Sequence, residues 1–297
     1  MRSILCAAAL LAFVANSAAG QRALKVYISV DMEGIGGVVT NEQLGPSGFE
    51  YGRAREFMTA ETNAAIAGAR AAGATQFVIS DSHGNGQNLL IDQLPADVTV
   101  IRSWPRPLMM MEGIDSTFDA AMFIGYHAST ANMKGVRAHT MSSATLTGVA
   151  LNGTQMPEGG INAAIAGYFG VPIVMISGDD AAVEEVRRIA GPMEGAVVKR
   201  AISFHAAATM TPKASQDLIR ERAKVAIERR ADMRPFVLRG AITADISFKN
   251  YRQAEMLAYL PIVERTSSHT VRFVGRSILE VSKFMEFVNT YSPDLTP

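Results

Sequence analysis

Three apolar runs in this chain each end on a residue able to bind a metal, and that repetition constrains the fold more than anything else in the sequence. Leu24–Val30 leads into Asp31-Met32-Glu33, residues 75–80 into Asp81-Ser82-His83, and residues 120–125 into Tyr126-His127. Short runs rich in branched and aromatic residues read as buried strands, and in a parallel sheet their ends converge on one edge. Asp31 and Glu33 are two residues apart, so continued strand geometry points both the same way while Met32 turns toward the core. Paired carboxylates repel unless a cation lies between them. With His83, His127 and, downstream, Glu158, they form an oxygen and nitrogen donor set suited to zinc or a similar divalent ion, alone or as a pair. The residues therefore point to a metal-dependent hydrolase.

The pattern around these runs is α/β. Residues 52–72 repeat apolar and alanine positions at helical spacing and stop at Gly73; short strands are expected at 75–80, Val98–Ile101 and 120–125. A helix opens at Glu158 and runs through Tyr168, a strand follows at 171–177, and Gly178-Asp179-Asp180 caps a helix over 181–189. Such alternation implies a largely parallel sheet with helices on both faces. After Gly191-Pro192 the texture changes to a weak strand at 196–202, a charged helix at 212–230, and mixed segments at 236–248, 251–260, 270–274 and 278–291, a smaller α+β C-terminal region. The expected division is a catalytic, metal-binding α/β domain over 21–195 and an α+β domain over 196–297.

The first twenty residues read as a separate element. Met1-Arg2, the apolar stretch 4–14 and the small residues 15–20 match a cleavable signal peptide, too short in its apolar part to span a bilayer. The expected location is periplasmic or secreted. Cys6, the sole cysteine, falls inside this leader, so the mature chain is expected to bind metal through His, Asp and Glu without thiolates. Positive and negative residues balance at 28 each, which gives no electrostatic footprint for nucleic acid or for a charged membrane.

Each site residue also has a structural reading. His83 and His127 gain weight as ligands from their strand-end placement, and Asp81 reads as a turn former or as an orienter of a ligand. Glu158 sits at a helix start, where the dipole favours a carboxylate with or without a metal. His139 lies in a less regular segment, and pattern leaves it open between ligand, catalytic acid or base, and ordinary polar residue. Gly34-Ile35-Gly36-Gly37 is a poor dinucleotide fingerprint because Val38-Val39-Thr40 does not start a helix well. His205 and His269 have no nearby carboxylate pair and receive no role. Met109-Met110-Met111 fits core filling better than copper binding.

Taken in order, Ser29-Val30-Asp31-Met32-Glu33-Gly34, Asp81-Ser82-His83, Gly125-Tyr126-His127, Ala138-His139-Thr140-Met141, Glu158 before Gly160 and Asn162, and Ser177-Gly178-Asp179-Asp180 resemble the DppA-type zinc D-aminopeptidases over nearly the whole mature chain. The resemblance implies that Asp31, Glu33, His83, His127 and Glu158 bind two zinc ions, with Asp31 bridging, and that His139 is the catalytic histidine. It implies short peptide substrates with N-terminal D-amino acids, a two-domain subunit, and a homo-oligomer, decameric in the family, whose sites face an interior channel. The loop at 41–50 and the His139-Thr140 pair depart from the family pattern, which bears on substrate preference, and export departs from the expected cytoplasmic relatives. Competing functions for the same ligands are a two-metal amidohydrolase or phosphoesterase and an exported metal- or peptide-binding protein.

Overall fold

A computed structural model describes residues 23–292. The expected leader and Cys6 lie outside the described residues. Among those described, no helix is long and apolar enough to cross a membrane.

The chain begins with strand β1 (Leu24–Val30), helix α1 (Tyr51–Ala71), strands β2 (Ala74–Asp81), β3 (Val98–Ile101) and β4 (Ala120–Tyr126), then the hairpin β5 (Leu146–Leu151) and β6 (Thr154–Gln155). It continues through α2 (Glu158–Tyr168), β7 (Ile173–Asp179), α3 (Asp180–Ala190), β8 (Glu194–Ser203), β9 (Ala206–Thr209) and α4 (Pro212–Glu228). It closes with β10 (Ile242–Phe248), α5 (Tyr251–Leu257), β11 (Val263–Arg265), β12 (Thr270–Gly275) and α6 (Ile278–Thr290).

Seven strands form one sheet in the order β3-β2-β1-β4-β7-β8-β9, parallel except for the β8–β9 hairpin. Two-sided burial explains the continuous apolar runs. On one face Val26, Ile28 and Val30 of β1 pack with α1 and α4 through Met58, Ile66, Ile219 and Ile227. On the other, Tyr27, Phe123 and Ile176 join Ile161 and Ile165 of α2 and Val183 and Val186 of α3. A second, antiparallel sheet, β11-β12-β10-β5-β6, belongs to that same cluster through Val149, Ile246 and Val271. In β10 every other residue is buried, the mark of a sheet with one face on the core.

The two sheets do not partition the chain at one point. The expected division between residues 195 and 196 falls inside β8. Within the expected first domain, β5 pairs with β10 of the second sheet, and within the expected second domain, α4 packs on α1 and β8. The short β5 run, preceded by Ser and Thr residues and followed by Asn152-Gly153, carries the local marks of the hairpin it forms with β6, but its other partner, β10, lies almost a hundred residues away.

The strand order places the site. From β1 the chain moves to β2 on one side and later to β4 on the other, so the ends of β1 and β4 flank a topological switch point, where open α/β sheets leave a crevice. Val30 is level with both Asp81 and Ile124, which brings together the three strand ends that lead to Asp31, His83 and His127. Their backbones approach closely: Asp31 N–H donates to Ile124 O at 2.8 Å and Gly34 N–H to Gly125 O at 2.7 Å. Gly125 has φ +73°, and a Cβ there would stand 2.2 Å from Asp31 O, so both conformation and space require glycine.

Candidate metal centre

Six side chains from five segments converge at this edge. Asp31 and Glu33 leave the end of β1, His83 the loop after β2, and His127 the end of β4; His139 comes from the loop before β5, and Glu158 opens α2. Asp31, Glu33, His83, His127 and Glu158 are all buried, and His139 is partly exposed. His83 Nδ1 lies 2.9 Å from Glu33 Oε2 and 3.3 Å from Asp31 Oδ1. His127 Nε2 lies 3.2 Å from Asp31 Oδ2 and 3.3 Å from Glu158 Oε2. His139 Nε2 lies 3.7 Å from Glu158 Oε1 and 4.0 Å from Glu33 Oε1, and its ring stacks on His127 with centroids 4.0 Å apart. The donors fall into two groups that could each hold an ion, Asp31-Glu33-His83 and His127-His139-Glu158, and the two oxygens of Asp31 reach into both.

All three imidazoles are oriented alike. His83 Nε2 is 2.7 Å from Leu44 O, His127 Nδ1 is 3.0 Å from Ala128 O, and His139 Nδ1 is 2.8 Å from Arg137 O. Each outer N–H therefore donates to a backbone carbonyl, and each inner nitrogen turns its lone pair toward the carboxylates. This is how proteins fix the tautomer of metal-binding histidines. Among the described residues, two of the inward atoms, Asp31 Oδ2 and His127 Nε2, are buried with no hydrogen-bond partner. A cation between them would satisfy both, so the residues fit a metal of the zinc type.

The electrostatics agree. Burial, and then Glu33, raise the carboxyl of Asp31 above its ordinary range. Against the opposing effect of burial, Glu33 and Asp31 hold His83 well above an ordinary imidazole, and Glu158 and Asp31 do the same to His127. Without a metal the cluster draws protons onto its histidines to balance its carboxylates; a bound cation would take their place.

Glu158 sits in the first turn of α2, and its Oε1 accepts the Met141 N–H at 2.7 Å. Asp81 acts as a turn former, accepting the N–H groups of Asn88 and Leu89 at 2.6 and 2.7 Å, while Asn88 Nδ2 donates to His83 O at 2.6 Å. Met109, Met110 and Met111 are buried in the core.

Several residues matter here that received no role at the site from sequence, although Asp179 caps its helix as expected. Lys199 of β8 is buried and its ammonium donates to the carbonyls of Glu33, Ile35 and Val38, which shapes the turn that carries Glu33. Asp179 accepts Ala182 N–H as the cap of α3 and Val136 N–H at 2.6 Å, which ties down the loop leading to His139. Ser29, Tyr126 and Asn162 form a buried chain beneath the cluster, with Tyr126 Oη 2.7 Å from Ser29 Oγ and 2.9 Å from Asn162 Nδ2. His205, given no role from sequence, has Nδ1 3.2 Å from Arg137 Nη1. His269 bonds Ser268 and lies outside the cavity.

The cluster forms one wall of a cavity of about 440 Å³, with Asn41 and Leu44, Trp104, Arg137, residues 141–144 and Asn289 among the rest of its lining. A model of the D-aminopeptidase peptidase family matches residues 24–287, which includes all six side chains. The chain belongs to the D-aminopeptidase family of metallopeptidases. It is 35% identical over 266 residues to a D-aminopeptidase of Bacillus subtilis (strain 168), covering 88% of this chain and 95% of that protein. Among solved structures it is similar to the Zn-dependent D-aminopeptidase DppA from Bacillus subtilis, described as a self-compartmentalizing protease, with TM-score 0.86 and 33% identity over 89% of this chain and 96% of that one. Both the family and the fold class, a largely parallel sheet with helices on both faces joined to an antiparallel sheet, agree with the reading of the ordered motifs.

Proposed function

We propose that this protein is a zinc-dependent aminopeptidase that hydrolyses short peptides, removing N-terminal D-amino acids as from D-Ala-D-Ala. The observation that carries this reading is the inward convergence of three histidine nitrogens and three carboxylates, with Asp31 Oδ2 and His127 Nε2 unpartnered between them. Asp31, Glu33, His83, His127 and Glu158 would hold two zinc ions. Support for a pair comes from the two donor groups and from Asp31, whose oxygens face one group each. When bound, the ions supply Lewis acidity at the scissile carbonyl and at the attacking water.

The chain's own groups supply the rest. His139 has 12% of its side chain exposed against 8% for His83 and 1% for His127, the most open of the three toward a substrate. Its Nδ1–H, held by Arg137 O, keeps the Nε2 lone pair pointed into the cavity, where that nitrogen takes the proton released by the attacking water and passes it to the departing amine. Glu33 and Glu158 flank it, with carboxylate oxygens 4.0 and 3.7 Å from Nε2. The acidic wall also attracts the free ammonium of a peptide's N-terminus, which favours release of the first residue. A phosphoesterase reading is disfavoured, since Arg137 is the sole lysine or arginine among the cavity-lining residues.

Two further parts of the reading concern the setting. The self-compartmentalizing relative supports a homo-oligomer, decameric by resemblance, with sites on an interior channel; Met256, Tyr259 and Ile262 offer exposed apolar surface for such contacts. The leader pattern at residues 1–20 supports a periplasmic or secreted enzyme meeting peptides from cell-wall turnover. Paired assays on D-Ala-D-Ala and L-Ala-L-Ala, each with and without chelator, test the activity. Hydrolysis of the D dipeptide that is abolished by chelator is expected; equal or faster hydrolysis of the L dipeptide would remove the stereochemical assignment.

A further inference from the structure

The cavity is lined by four carboxylates and by a single guanidinium. Asp31, Glu33, Glu158 and Glu286 line it, and Arg137 is its one basic side chain apart from histidine. Arg137 is buried, yet among the described residues no carboxylate lies within ion-pair distance of it, and its Nε is buried without a hydrogen-bond partner. The contacts it does have are with a histidine and an aromatic ring, while Glu33 and Glu42 act on it only from beyond ion-pair distance. Nη1 is 3.2 Å from His205 Nδ1, and the guanidinium stands 5.1 Å from the centroid of the Phe204 ring, both residues at the tip of the β8–β9 hairpin. Its backbone is also unusual, with φ +55°, a left-handed conformation that arginine adopts at a cost and that a surrounding structure must hold in place. The N–H of Arg137 donates to Phe204 O at 3.0 Å, and its carbonyl accepts from His139. One residue thus orients the catalytic imidazole through its backbone and presents a cation, unpaired with any carboxylate, two positions away in the chain.

A buried guanidinium in a binding cavity is a receptor for a planar anion, a carboxylate above all. A free dipeptide offers one at the right end. With its ammonium drawn to the acidic wall, its terminal carboxylate lies about two extended residues away, ~7 Å, a span within reach of a long side chain anchored two residues from His139. We propose that Arg137 receives the C-terminal carboxylate of the substrate, so that the enzyme selects short peptides with an unblocked C-terminus. Phe204 and His205 then act as positioning residues that hold the guanidinium in place. This inference rests on the aminopeptidase reading above and deepens it.

The test is the ratio of kcat/KM on D-Ala-D-Ala to that on its C-terminal amide. A charge-assisted bidentate pair leads to an expected ratio of about 10 to 100 for the unaltered enzyme. R137Q should bring the ratio near 1, chiefly through a higher KM for the free dipeptide, and R137K should fall between. H205A, which leaves the backbone at 137 untouched, should lower the ratio in the same sense by a smaller factor. Calorimetric binding of a reduced-amide analogue of D-Ala-D-Ala and of its amide gives the same comparison without turnover. A wild-type ratio near 1, or an R137Q variant that loses both substrates equally, would overturn the assignment, the latter by placing Arg137 at the reacting atoms or in the fold. Zinc-loaded wild type that hydrolyses neither substrate would count instead against the aminopeptidase reading, while calorimetry would still decide on Arg137.

Discussion

Replacing Lys199 by methionine should damage both the fold and the metal site, and the size of each effect can be worked from its contacts. The ammonium is buried and donates to the carbonyls of Glu33, Ile35 and Val38. Ile35 O retains the Val38 N–H at 3.1 Å; among the described hydrogen bonds, Lys199 is the only donor given for the carbonyls of Glu33 and Val38. Leaving two buried acceptors unmet costs about 1–3 kcal/mol each. The nearby Asp179 and Glu61 also lose the attraction of its charge, which acts on them from beyond ion-pair distance. Against this, methionine matches the volume and removes an ammonium whose own burial costs several kcal/mol, so the expected net loss is up to about 3 kcal/mol. Because the freed carbonyls belong to the turn bearing Glu33, zinc should bind about 10- to 100-fold more weakly, the usual scale for a lost supporting contact. Urea unfolding of the metal-free protein and competition with a chromophoric chelator measure the two effects. Lower stability with unchanged zinc affinity would reduce Lys199 to a core residue, and no change in either would refute the reasoning.

Other perturbations follow from the same geometry. His139→Ala should keep fold and metal content while turnover of D-Ala-D-Ala falls roughly 100-fold or more; loss of metal without a separate effect on turnover would make His139 a ligand instead. Asp31→Ala should lose more zinc by elemental analysis than Glu33→Ala, because Asp31 stands 3.3 and 3.2 Å from a histidine of each donor group, whereas Glu33 approaches the second group only at 4.0 Å. Gly125→Ala should lower stability by roughly 2 kcal/mol or more and weaken zinc binding, since a Cβ there stands 2.2 Å from Asp31 O at φ +73°; thermal unfolding with and without zinc checks both. Burial raises Glu61 to about 7 from 4.5. The folded chain therefore keeps this proton longer than the unfolded chain, and the associated stability is full below about pH 4.5 and lost as the pH rises through 7. Glu61→Gln should remove up to about 3 kcal/mol of that dependence, read as the difference between variant and wild-type unfolding curves across this range.

How much was legible in the sequence depended on whether the information was local. Strand ends at Asp31, His83 and His127 could be read because apolar runs and their terminators sit side by side in the chain, and parallel pairing then brings the ends level. The direction of Glu158 was not legible: a carboxylate at a helix start fits the dipole equally well, and only tertiary packing turns it toward His127. Lys199 reads as one polar residue in a weak strand; its burial follows from the β1 turn folding over it, more than 150 residues away in sequence. The same holds for β5, whose pairing with β10 crosses any boundary drawn by composition. His205 was unreadable for a related reason, since its partner Arg137 lies 68 positions away.

The most direct test of the central claim is to strip the purified protein with chelator and restore zinc stepwise, following D-Ala-D-Ala hydrolysis against bound zinc per subunit. Activity should be absent from the stripped protein and should rise to its full value as up to two ions bind. Full activity without zinc, or none at any loading, would contradict the assignment of a zinc-dependent D-aminopeptidase.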